Sequence, residues 1–360
     1  MTQASAPAFD SGAKQGLPLQ VKNKTLLAIM AIVPLAALLA IIDKPLLNGV
    51  ILSHMITNPR DIAYWTAILT VPHIVASLVT FADGEYLNHH KKRIFKAIII
   101  GILLAFGVPF LTGFVLAVIY DIPLNTFSEY AMQGTLGTLV VMAFYTMYHN
   151  LQQQYGISLM MLRQAPTFDY QMWRWFTIIP AGFAYTALMA SQAPEIANNW
   201  QLIVGIIGGG LFIATVFGLR FVRTILKNPN HTKIGLAFFL ANMSLLYVCF
   251  GLIVTGYGFM ATLVPRLTHD FTAFWVYMVH DQNRNADKIR NPFYFLRKVG
   301  VPPALLCPAI AIAISFWLLD TAHNIYLVTL FVTSLNFIHY YMEGYMWKRG
   351  EPHRQYVPFV

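Results

Sequence analysis

The sequence predicts an all-α, polytopic integral membrane helix bundle of about ten (8–10) transmembrane helices with both termini cytosolic, and three observations carry that expectation. Of 360 residues, 57% are hydrophobic and only 11% charged, and the mean hydropathy of +0.57 lies beyond the range of soluble domains of this length. Apolar runs of about 20 residues recur from Leu26 to Met346, the length that crosses a bilayer core at ~1.5 Å rise per residue. With the N-terminus inside, every one of the 24 Lys and Arg except Lys44, Arg60 and Arg266 falls in a cytosolic segment, as the positive-inside rule requires. An outer-membrane barrel would show segments of about ten alternating residues, a pattern this chain lacks.

Residues 1–23 form a polar tail without an apolar h-region or a small-residue cleavage signature, so an uncleaved cytosolic N-terminus is expected. Residues 24–347 form a single transmembrane domain and 348–360 a cytosolic C-terminal tail. The expected spans are 25–43, 62–82, 95–119, 129–149, 171–191, 199–219, 235–255, 259–281, 299–319 and 325–346. The second carries Pro72-His73, and the fourth runs into the polar stretch His149–Gln154, which lipid would not tolerate but a protein-lined cavity would. Pro265 and Arg266 interrupt the eighth, and Gly256-Tyr257-Gly258 leaves only a very tight turn before it, so a kinked or half-membrane segment is its alternative form. The outer connections DIPLNTFSE and SQAPEIANN are short and carry no Lys or Arg.

Topology and anionic lipid account for the net charge of +9, so no nucleic-acid partner is implied. Cys249 and Cys307 both sit in apolar runs, so nothing argues for a disulfide framework or a cysteine-based zinc or iron–sulfur site. No Walker A run, strand-linked Gly-x-Gly-x-x-Gly or internal repeat is present.

Placement makes the 11 histidines informative. His54, His231, His323 and His353 fall in loops or at helix ends and are expected to be solvated. His89 and His90, followed by Lys91-Lys92-Arg93, read as an interfacial basic cluster. His73, His149, His269, His280 and His339 come from four spans, in the middle or cytosolic half of the membrane. Neutral imidazoles from four helices meeting at one point are how a bundle builds a non-haem transition-metal site. The alternative is a scattered hydrogen-bond network that glues helices together. Imidazole with a few carboxylates and no thiolate favours Fe(II), with Cu or Zn as alternatives.

Three carboxylates stand beside these histidines. Glu343 follows His339 by four residues, on the same helix face. Asp270 and Asp281 each follow a histidine directly, in LTHDFTAFWVYMVHDQNRN. They are expected to orient imidazoles or to pair with Arg266 and Arg284, and Asp270, Asp281 and Glu343 are the candidate catalytic residues. His269 and His280 lie within about 20° of one helix face but about 16 Å apart along it, too far for one mononuclear site. Of the two, His269 is the expected ligand; His280 is a fifth candidate ligand that otherwise marks the cytosolic mouth or an outer support, and a kink at Pro265 that shifts the helix inward would exchange the two roles. Tyr145, Tyr148, Phe274, Trp275 and Tyr277 read first as core or interfacial belt, and second as walls of a substrate tunnel.

In helix count, chain length and the one-histidine-per-helix arrangement of His73, His149, His269 and His339, the chain resembles the Brp/Blh-type membrane β-carotene 15,15'-dioxygenases. More broadly, it resembles polytopic histidine-ligated membrane iron oxygenases. Ile74 follows Pro72-His73 where glycine follows in that family, and the HxxxH and HxxHH boxes of membrane desaturases are absent. The resemblance implies a helical bundle holding Fe(II) and acting with O2 on a lipophilic molecule such as a carotenoid, isoprenoid or acyl chain, in the inner (cytoplasmic) membrane and among membrane lipids. Two other functions are compatible with the same residues. One is an ion- or proton-coupled transporter using Arg266, His269, Asp270 and Glu129; the other is a bis-histidine haem electron-transfer protein.

Overall fold

The computed structural model describes residues 16–54, 71–121, 129, 134–191, 194–324, 326–348 and 350–360. Residues 62–70 of the second expected span, most of the connection DIPLNTFSE, and residues 1–15 of the N-terminal tail lie outside them. The longer helices are α1 (Asn23–Ile29), α2 (Ile32–Leu47), α3 (Val71–Ala82), α4 (Gly84–Tyr120), α5 (Thr135–Leu162) and α6 (Phe168–Met189). They continue with α7 (Trp200–Lys227), α8 (Lys233–Val254), α9 (Gly258–Arg284), α10 (Pro303–Asn324) and α11 (Tyr326–Met346). Strand-like pairing among the described residues is limited to one isolated bridge, between Val21 and Phe359.

Among the described residues, five helices are long and apolar enough to cross a membrane: Asn23–Leu47, Gly84–Tyr120, Trp200–Lys227, Lys233–Val254 and Pro303–Thr321. Their outward faces are apolar, with Phe95 66%, Val118 67% and Phe212 71% exposed, as expected where lipid replaces water. This is a membrane protein. In α9 the usual gradient is reversed, because 18 of its 27 residues are buried and they include Arg266, His269, Asp270, His280, Asp281 and Arg284. Ionisable groups are too costly against lipid and must face the bundle interior.

The first expected span is split into α1 and α2, and α7 runs to Lys227, past the expected 219; three further departures bear on the site, each with a local reason. First, α4 begins at Gly84 rather than near residue 95, because the Asp83 side chain caps it by accepting from the Glu85 N–H at 2.9 Å. Its 37 residues make a rod of ~55 Å, well beyond a hydrocarbon core of ~30 Å, so the turn carrying His89, His90 and Lys91-Lys92-Arg93 extends past the apolar part. Second, α5 continues to Leu162, so the polar stretch from His149 is helical; Gln154 Nε2 donates to Thr268 O at 3.1 Å and to Thr272 Oγ1 at 3.2 Å on α9. Third, α9 runs unbroken through Pro265, and Thr268 Oγ1 donates to the Pro265 carbonyl at 2.9 Å.

Two buried apolar clusters meet along α9. One is built on α1, α2 and α5 to α8, the other on α3, α10 and α11. Helices α4 and α11 approach closely because position 101 is glycine: a Cβ there would lie 2.9 Å from the Ser334 carbonyl oxygen and 2.8 Å from Ile338 Cγ1. That contact fixes α11, which carries His339 and Glu343.

Both tails dock on the end of α9 instead of extending into solvent. The Val21 N–H donates to Pro358 O at 2.8 Å and the Val360 N–H to Val21 O at 3.0 Å. Asn283 Nδ2 donates to Leu19 O and Tyr356 O, both at 2.8 Å. His353, expected to be solvated, is therefore 0% exposed, and burial holds its imidazole well below the usual value, in the neutral form.

Candidate metal centre

At the seam between the two apolar clusters, four helices each aim one imidazole at a common point. His73 comes from α3, His149 from α5, His269 from α9 and His339 from α11. Their exposures are 1%, 8%, 0% and 0%. The rings form a closed cycle, with centroids 4.9 Å apart for His73–His269, His73–His339 and His149–His269, and 5.0 Å for His149–His339. Neighbouring planes cross at 67° to 81°.

The inward atoms are Nε2. His73 Nε2 is 3.2 Å from His339 Nε2 and 3.3 Å from His269 Nε2. Nitrogens held about 2.0–2.1 Å from one metal stand about 3.3 Å apart in a tetrahedral shell and about 2.9 Å in an octahedral one. The observed separations fit one ion. The fourth corner is supplied by His149 Nε2, 3.2 Å from Glu343 Oε2. Ligand atoms of His73, His149 and His269 lie within 4.8 Å of one another, as do those of His149, His339 and Glu343.

The outer ring nitrogens show which way the lone pairs point. Ser77 Oγ donates to the Ile74 carbonyl at 2.7 Å, which commits its only proton. At 2.6 Å from His339 Nδ1 it must accept, so the His339 proton sits on Nδ1 and Nε2 is bare. Asp270 Oδ1 lies 3.1 Å from His73 Nδ1 without forming an aligned hydrogen bond, and a negative charge that close favours a proton over a lone pair on Nδ1. Two bare nitrogens thus face each other at 3.2 Å. They repel unless a cation or a proton lies between them. Glu343 is held in turn by Tyr277, whose hydroxyl donates to Oε1, and Tyr340 packs on the His149 ring at 4.5 Å while sharing a 2.9 Å hydrogen bond with Thr146. These buried His and Glu groups are able to hold a metal ion.

Of the residues anticipated from sequence, the fold brings together His73, His149, His269, His339 and Glu343, with Asp270 behind His73. It does not bring His280 or Asp281 to this point. Asp281 Oδ1 accepts from His280 Nδ1 at 2.8 Å, and Tyr294 donates to the other carboxylate oxygen. Nε2 of His280 is then the acceptor for the Tyr86 hydroxyl at 3.0 Å. Both imidazole nitrogens and the carboxylate are consumed by protein, so His280 and Asp281 form a structural unit near the docked tails. Arg284 completes that layer by donating through Nε to Asp83 at 2.7 Å and through Nη1 to the Tyr356 hydroxyl at 2.8 Å.

Ser77 was not singled out from sequence, although it lies four residues after His73, the spacing that stacks two side chains on one helix face. An apolar cavity of about 60 Å³ lies among α5 to α9, lined by residues including Met147, Tyr185 and Pro265 and by none of the four histidines. Arg266, one turn before His269, lies over the Tyr185 ring at 5.1 Å. No protein-family model, curated protein or solved structure matches this chain.

Proposed function

We propose that the chain is a multi-pass protein of the cytoplasmic membrane, both termini inside, whose four histidines hold one Fe(II), and that it oxidises a lipophilic substrate with O2. The observation that carries this reading is the convergence of His73 Nε2 and His339 Nε2, 3.2 Å apart in a cycle of four buried imidazoles. An imidazole-rich site with carboxylate and no thiolate suits a ferrous ion, with Cu or Zn as the next candidates. Bound there, such an ion would supply the redox chemistry that activates O2.

The chain's own residues do the rest. Ser77 and Asp270 hold His339 and His73 in the tautomer that presents Nε2. Tyr277 orients Glu343 beside His149, leaving one carboxylate within reach of the centre. Near-complete burial keeps bulk water out. The cavity beside Tyr185 and Pro265 offers an apolar wall for part of a hydrocarbon chain, on the helices that also carry His149 and His269.

The geometry favours this over a bis-histidine haem. Axial nitrogens stand on opposite faces of the porphyrin, about 4 Å apart across the iron, whereas the inward nitrogens here are 3.2–3.3 Å apart and the four rings close into a cycle. No slot for a macrocycle is left between them. The test is anaerobic Fe(II) loading of the purified protein followed by metal analysis and expression in a β-carotene-producing host. About one iron per chain with loss of colour is expected. Less than about 0.2 metal per chain after loading sinks the metal reading, and bound iron with unchanged pigment removes the polyene while keeping the centre.

A further inference from the structure

A second group of donors lies outside the four-histidine centre, where α4 meets the returning C-terminal segment. His89 and His90 stand in the second turn of α4, and Glu351 lies five residues beyond the end of α11. His89 Nε2 is 2.9 Å from Glu351 Oε2 and His90 Nε2 is 3.9 Å from the same oxygen. The first separation, a hydrogen bond without an ion, falls in the roughly 2.9–3.3 Å expected between neighbouring donors on one ion, and the second lies beyond it, so His90 would have to close on the ion. The three ligand atoms lie within 4.8 Å of one another.

The His90 ring points to a ligand. It is 0% exposed, and its Nε2 has no hydrogen-bond partner among the described residues. The Glu351 oxygen it faces is beyond hydrogen-bond reach at 3.9 Å. A buried polar atom without a partner marks a place where a water or an ion belongs. Arg93 occupies the other carboxylate oxygen, with Nη1 donating to Glu351 Oε1 at 2.6 Å. Oε2 is thereby turned toward the two imidazoles, as an outer partner orients a metal-ligating carboxylate. Arg93 Nη1 also makes a long 3.4 Å hydrogen bond to His90 Nδ1, which ligation through Nε2 would displace by moving the ring proton to Nδ1.

We propose that His89, His90 and Glu351 bind a second divalent transition cation, of the zinc or ferrous class, distinct from the ion at the four-histidine centre. One side of this site is 48% exposed at the His89 side chain, so the ion exchanges with solvent instead of being trapped. Bound there, it ties the segment after α11 to the start of α4, the two elements whose packing places His339 and Glu343. The site is a clamp on the frame of the first centre.

The test titrates Zn(II) alone into chelator-stripped full-length protein in detergent micelles, comparing wild type, H89A, E351Q and H339A. His89 is a surface side chain, so H89A keeps the fold. H89A and E351Q are expected each to lose one equivalent that the wild type binds, while H339A keeps that equivalent. Zinc content in H89A and E351Q equal to wild type overturns the second site and leaves the four-histidine reading standing. Loss of an equivalent in H89A with none lost in H339A supports the second site and counts against the first. H54A, which alters another exposed histidine, controls for adventitious zinc; a loss in H54A equal to that in H89A overturns the proposal.

Discussion

Two histidines eleven residues apart on α9, His269 and His280, have the same neighbour in sequence, an aspartate directly after each, and opposite chemistry in space. At His280 both ring nitrogens are occupied by protein, Nδ1 by Asp281 and Nε2 by Tyr86. At His269, Nδ1 has no hydrogen-bond partner among the described residues and Nε2 faces the Nε2 of His73 at 3.3 Å. A histidine whose two nitrogens are satisfied is part of the frame. One whose ring nitrogen converges with others is placed to be a ligand. What separates them is the number of protein partners each ring finds, and burial does not, because His280 is 1% and His269 0% exposed.

The largest effect that tests this contrast is His269→Ala. It should abolish the central equivalent of bound metal, whereas His280→Gln should keep it; metal analysis of the purified variants reads both. Equal loss in the two variants would erase the distinction between ligand and frame.

Next in size is Arg284→Met in the layer near the tails. Arg284 is 5% exposed and pairs with the buried Asp83, so removing it leaves an uncompensated charge and should cost about 3–5 kcal/mol. Thermal unfolding in detergent should show the drop while iron affinity at the centre stays unchanged. A variant that keeps its stability and loses iron would mean the two layers are one site.

A smaller change is expected from Ser77→Ala. Losing the acceptor for the His339 Nδ1 proton should weaken metal binding by about 10–100-fold, or about 1.4–2.7 kcal/mol, with little effect on folding. Asp270→Asn should act in the same range through His73. Competition with a chelator of known affinity would measure both, and wild-type affinity in either would remove the tautomer argument.

The smallest belongs to the outer surface. Ile41 is 70% exposed on an apolar helix, and Ile41→Ala should change stability by no more than about 0.5 kcal/mol. A cost of several kcal/mol by thermal unfolding would show that this face packs against protein.

Much of the fold was legible because lipid imposes periodic rules. Where their residues are described, the expected runs fall largely on helix, although the first breaks at Met30-Ala31 and the helix of the ninth begins only at Pro303, since a spanning segment must satisfy its own backbone. Boundaries were less legible. The early start of α4 depends on a cap at Asp83 and on Arg284, 201 residues away in sequence, and no local pattern encodes that pairing. His353 differs from its sequence expectation for the same reason: a short polar tail looks solvated until Asn283 donates to its Tyr356 carbonyl and Val21 pairs with Pro358 and Val360.

The sequence by itself determined that this is a helical membrane protein and that His269, with Arg266 and Asp270, and the polar stretch from His149 are too costly to face lipid, with His73 and His339 as candidates beside them, because hydropathy and charge are summed along the chain. Only the tertiary structure decided that those four imidazoles share one point, that Ser77 orients His339, and that His280 belongs elsewhere. Such choices depend on distances of about 3 Å between helices far apart in sequence, and a ring nitrogen becomes a ligand or a hydrogen-bond partner according to what stands at that distance.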